Sequence, residues 1–114
     1  MGQPIDKGSI VTVRNNVSAN DSANPTIGTG KNFVGFRTIE AEVIVGGTNP
    51  SWNVTPLLAN DAGDSYQEVE TVTLDEAKTY YLLIEVLGNT DVNFRVDGQA
   101  GTSPTITIKA KGVN

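Results

Sequence analysis

A chain of 114 residues carrying a net charge of −5 is sized for one domain with one modest core. It has no cysteine and no histidine, which rules out disulfide staples and zinc fingers and removes the commonest general base and the best side-chain nucleophile. Thirteen acids against eight bases oppose the phosphate neutralisation that nucleic-acid binding requires. No stretch is apolar enough to span a bilayer as a helix, and Met1-Gly2-Gln3-Pro4 is not followed by the basic-then-apolar run of a secretory signal. Neither a nucleic-acid nor a membrane partner is expected.

In chain order, residues 1–9 read as a polar N-terminal arm ahead of a single domain over 10–114. The first strand is Ile10 to Arg14, where Ile10, Thr12 and Arg14 alternate with Val11 and Val13. Asn15 to Lys31 is rich in Asn, Ser and Gly and has neither helical nor strand periodicity, so it reads as one long loop. The next strand runs from Gly35 to Val45, with Ile39, Ala41, Val43 and Val45 on one face and Thr38, Glu40 and Glu42 on the other. Gly46-Gly47-Thr48-Asn49-Pro50 has the chemistry of a turn. Trp52 and Val54 follow, with Pro56 marking an edge or a break.

Asn60 to Asp64 is a second polar turn, and Tyr66 to Leu74 a strand. Thr79 to Leu87 differs from the rest, because Tyr80, Leu82, Ile84 and Val86 fall on one face while Tyr81, Leu83 and Leu87 fall on the other. A strand apolar on both faces calls for a cover on both. Either a second copy of the chain covers Tyr81, Leu83 and Leu87, or the Asn15 to Lys31 loop or the N-terminal arm folds over them. Val92, Phe94 and Val96 then alternate with Asn93, Arg95 and Asp97, and Ile106 and Ile108 with Thr105, Thr107 and Lys109, across a Gly-rich turn from Asp97 to Pro104. Short β-branched strands between Gly, Asn, Asp and Pro clusters predict an all-β fold. The expected architecture is an antiparallel β-sandwich or jelly-roll-like barrel of about six to eight strands.

Candidate chemistry is sparse. Gly28-Thr29-Gly30-Lys31 lacks the earlier glycine and the following Ser or Thr of a P-loop. Glu40 and Glu42 are the nearest approach to a glycosidase carboxylate pair, but they share the outward face of one strand. Asn60, Asp61 and Asp64, and Asp21 with its neighbours, offer calcium-type oxygens without EF-hand spacing, and Asx residues gather in turns for backbone reasons. No enzyme activity, metal or cofactor is expected. Trp52 either plugs one end of the core or, exposed, stacks against a sugar or anchors an interface. In the exposed case the chain would be a non-catalytic carbohydrate-binding module.

A methionine start, a polar arm, a long Asn/Ser/Gly loop, no Cys or His, and Thr/Val strands ending in Thr105-Ile106-Thr107-Ile108-Lys109 resemble small virion proteins of tailed bacteriophages, most closely the capsid decoration or cement proteins. The resemblance implies a β-sandwich that trimerises on the capsid surface, is made in the host cytoplasm, and reinforces the joints between subunits of the major capsid protein. Such a protein needs a self-complementary apolar patch, for which Tyr81, Leu83 and Leu87 on the second face of the Thr79 to Leu87 strand are the candidates, and an arm and loop to reach the capsid, for which Pro4, Ile5, Ile27, Lys31 and Phe33 are the candidates. A tail, neck or fibre subunit would share these features.

Overall fold

The computed structural model describes residues 3–60, 65–86 and 89–114; Leu87, Asp61 and Asp64, singled out above, lie outside them. The described residues form no helix. They form β1 (Ile10–Val17), β2 (Lys31–Asn32), β3 (Thr38–Ala59), β4 (Gln67–Glu68), β5 (Val72–Leu74), β6 (Thr79–Glu85) and β7 (Asp91–Val113). All seven join one antiparallel sheet, giving the all-β, sandwich-like architecture expected from the strand pattern.

The two segments read as Gly-rich turns do not reverse the chain. β3 runs for 22 residues through 46–50, and β7 for 23 residues through 97–104. The two stay paired across those segments, with Thr48 opposite Thr102 and Ser51 opposite Ala100. The turn chemistry of one lies against the turn chemistry of the other, so the long ribbon bends there instead of ending. Gly47 (φ 108°) and Gly101 (φ 100°) take backbone conformations closed to most L-residues. A Cβ on Gly101 would also lie 2.4 Å from the Asn49 carbonyl oxygen.

On one side of the bend the strand order is β1-β7-β3-β6; on the other, β2, β7 and β3 are followed by β5 and β4. The inner faces of the two halves share one apolar cluster. Ile39, Ala41, Val43, Ile84, Ile106 and Ile108 come from the first half, and Trp52, Val54, Leu74, Val92, Phe94 and Val96 from the second. Trp52 is fully buried opposite Leu74, and its indole Nε1 has no acceptor among the described residues. It is a core residue, which corrects the stacking role considered for it: no sugar or partner reaches a side chain with no exposed surface.

The corner predicts unequal glycine effects. Gly101→Ala should cost more than about 2 kcal/mol in urea unfolding, since it adds a backbone clash to a left-handed strain of about 1–2 kcal/mol. Gly8→Ala carries the strain alone, because at φ 84° its Cβ would meet nothing within 4 Å, and should cost less. Equal losses would show that the corner tolerates a side chain.

Candidate functional site

Apolar side chains are exposed at Ile10 on β1, at Val34 and at Ile44 on β3, but β6 is where two large ones share one strand face. Its inward residues Tyr80, Leu82 and Ile84 pack on the core, whereas Tyr81 is 64% and Leu83 74% exposed. The surrounding outer face is polar: Glu40 stands between Leu83 and Lys111, and Glu42 between Tyr81 and Lys109. The Tyr81 hydroxyl donates to Glu42 Oε2 at 3.4 Å. Glu40 and Glu42 thus belong to an open strand face with cross-strand lysines, a common arrangement for solvated sheet surfaces.

Beside β6 lies an open cleft of about 590 Å3 floored by Pro56, Leu58, Val69, Val72, Leu82 and Ile84, with Tyr81, Leu83, Glu70 and Glu85 also lining it. Its origin is the bend in β3. β6 pairs with β3 before the bend and β5 and β4 pair with it beyond, so the two edges part and leave apolar side chains between them.

The long loop does not cover this surface. It crosses the outward residues of β7 on the other half of the sheet, tied strand position by strand position. Asp21 N donates to Val96 O and Val96 N to Asp21 Oδ2, both at 2.8 Å. Gln99 N donates to Asn20 Oδ1 at 2.8 Å, Arg95 Nη1 to Asn24 Oδ1 at 2.7 Å, Asn93 Nδ2 to Thr29 Oγ1 at 3.1 Å, and Gly28 N to Asp91 Oδ2 at 3.0 Å. Loop closure over Tyr81 and Leu83, one of the two covers considered, is thereby excluded for this conformation. The arm is also placed elsewhere: Pro4 bridges Asn32, and Ile5 N donates to Asn32 O at 2.9 Å.

Two arginines organise the loop. Arg14 Nη1 and Nη2 donate to both Asp21 oxygens at 2.7 and 2.9 Å, and Nη1 also reaches Phe94 O at 2.8 Å. Arg95 joins Asp97 (3.1 Å), Asn24 and both oxygens of Glu68. Burial alone would raise the Asp21 carboxyl, but the hydrogen bonds from Arg14 and Val96 N and the two guanidinium charges outweigh it and hold the group below its ordinary value of 3.8. Asp91 is fully buried, accepts from the Tyr66 hydroxyl at 2.8 Å, and sits beside buried Asn93. Burial pushes the Tyr66 phenol up, with Asn93 opposing and Asp91 reinforcing the shift. Reading the sequence did not single out Arg14, Arg95 or Asp91; the available signal was the run of polar residues facing outward on β7.

Of the residues assigned to capsid contact, Pro4 is exposed, and Ile5, Ile27 and Lys31 are half-buried. Phe33 is fully buried, edge-on to Phe36 with ring centroids 6.2 Å apart. It is core, so its assignment to a capsid contact is corrected. Compared with known proteins, the chain matches no family model, no curated protein and no solved structure.

The Arg14–Asp21 bridge sets an acid limit on the loop. A carboxyl with a lowered folded pKa contributes stability that is complete above its unfolded value and is lost as pH falls through the folded one. The stability difference between the native chain and Asp21→Asn should therefore be steady, at about 2 kcal/mol, from pH 7 to 5 and shrink below about pH 4. Chemical denaturation of both proteins from pH 7 into the acid range checks it, and a difference that does not shrink at all as the pH falls below about 4 would refute the assignment.

Proposed function

We propose that this protein is a non-catalytic structural subunit that self-associates through the outer face of β6 and, following the resemblance in its sequence, decorates and stabilises the capsid of a tailed bacteriophage. The observation that carries the assembly reading is the exposure of Tyr81 and Leu83, side by side on a regular strand with none of the described residues folded over them. Large apolar side chains next to an apolar cleft mark an interaction surface. The major capsid protein is the proposed second partner, met by Pro4 and the accessible parts of Ile5, Ile27 and Lys31, and the virion surface the proposed location. A tail, neck or fibre subunit would use the same surface.

The carbohydrate-binding alternative loses the stacking residue it rested on, since Trp52 is buried. Glu40 and Glu42 lie along one open strand face rather than across a cleft from each other, which gives no support to hydrolysis.

Leu83→Asp tests the surface. The variant should retain the β-sheet circular dichroism of the native chain, shift the light-scattering mass from an oligomer to the 12.0 kDa monomer, and lose co-sedimentation with phage capsids. Unfolding of the variant, or a native chain already monomeric at high micromolar concentration, would count against the assignment.

A further inference from the structure

The geometry points to β6 as a pairing edge: we infer that it adds antiparallel to β6 of a second copy, about a two-fold axis passing through Leu82. This rests on the self-association reading and specifies its symmetry as a two-fold dimer, in place of the trimer that the resemblance implies.

The backbone supplies the first argument. Val45 N donates to Lys78 O at 3.0 Å and Val86 N to Arg37 O at 2.9 Å, and between them β3 and β6 pair without a register break from Thr38↔Glu85 to Ile44↔Thr79. Hydrogen-bonded pairs alternate in an antiparallel ladder, so Tyr80, Leu82 and Ile84 direct their main-chain groups to β3. The N–H and C=O groups of Thr79, Tyr81, Leu83 and Glu85 therefore point away from β3, along the edge beside the cleft. A long, regular, apolar edge is a template for another strand. The opposite edge is protected, because β1 has register shifts on either side of Arg14, and such bulges turn an edge away from pairing.

The sequence of the strand supplies the second argument and selects the occupant. β6 spans Thr79–Glu85 and is centred on Leu82. Laid antiparallel on itself about that centre, Tyr81 faces Leu83 of the second copy, Leu83 faces Tyr81, Thr79 faces Glu85, and Leu82 faces Leu82. Each exposed apolar residue meets its complement, and the only charge meets a hydroxyl instead of another carboxylate. The outward main-chain groups all fall in hydrogen-bonded pairs, making about eight new bonds. This two-fold contact is self-complementary, as an isologous interface must be. It also brings the inward face of the second β6 toward the cleft over Leu58, Val69 and Val72.

Cross-linking reads the axis directly, since the chain has no cysteine of its own. In the paired arrangement Leu82 occupies a non-hydrogen-bonded site about 4.5 Å from its counterpart between Cα atoms, within disulfide reach. Leu82→Cys should form a covalent dimer under mild oxidation at least tenfold faster than Thr79→Cys, whose counterpart would lie about 20 Å away. Light scattering on the native chain should give twice 12.0 kDa. Leu83→Pro should be monomeric yet retain its sheet, because the N–H it removes faces the open edge, where proline is tolerated. An oligomer of any size in which Leu82→Cys cross-links no faster than Thr79→Cys would overturn β6 pairing while leaving self-association standing. A native monomer at high micromolar concentration would overturn both.

Discussion

β3 and β7 run side by side for their whole length, and the fold depends on that ribbon bending across both strands at once. The bend is a matter of close approach: Cβ atoms on Gly47 and Gly101 would fall 2.8 Å from Ser103 O and 2.4 Å from Asn49 O. Only where side chains are missing from both strands can the backbones come this near and the sheet close on itself. Register takes part as well. Inward residues of β3 are odd-numbered before the bend (Ile39, Ala41, Val43) and even-numbered after it (Trp52, Val54), while those of β7 (Val92, Phe94, Val96, Ile106, Ile108) are even throughout. Both strands keep their apolar sides inward only if the pairing slips by one residue at the corner. It does so between Val45↔Ile106 and Val54↔Val96.

The placement of the open surface follows from the same bend. One strand, β3, carries β6 on one arm and β5 and β4 on the other. The angle between its arms separates those edges, and the apolar floor of Pro56, Leu58, Val69 and Val72 is exposed between them. An antiparallel sheet ordinarily shows one face to water, and most of this outer face obeys, with Glu40 and Glu42 set against Lys111 and Lys109. Ile10 and Ile44 depart from it singly; Tyr81 and Leu83 do so as a pair on one strand, at the edge rather than in the middle of the sheet, where a second molecule has access to both side chains and backbone.

On the other half, the outward side of β7 carries Asp91, Asn93, Arg95 and Asp97, and the loop over residues 18–30 supplies partners to the first three: Gly28 N, Thr29 Oγ1 and Asn24 Oδ1. Asp91 is fully buried and Asn93 nearly so, and a buried polar group without a hydrogen bond is costly. The loop thus functions as a polar lid held by Arg14, Asp21 and Arg95. Such a lid suits a hydrogen-bonding surface and offers little to an apolar one, which is a physical reason for its position over β7 and its absence from β6.

How much was legible from the residues alone follows from which forces act locally. Alternation of period two, together with the absence of helical periodicity, was enough for an all-β fold, for the inward sets Ile39-Ala41-Val43-Val45 and Val92-Phe94-Val96, and for the two-sided character of Thr79 to Glu85, because pleat geometry assigns faces residue by residue. The missing cysteine and histidine narrowed the chemistry in the same direct way. Whether Gly46 to Pro50 and Asp97 to Pro104 were hairpin turns or one shared corner was not a local question, since the answer lay in each segment finding the other across fifty residues of chain. The burial of Trp52 and Phe33, the Arg14–Asp21 bridge and the side of the sheet taken by the loop are likewise tertiary outcomes. Each depends on which surfaces meet when the ribbon folds, and composition and spacing carry no record of that.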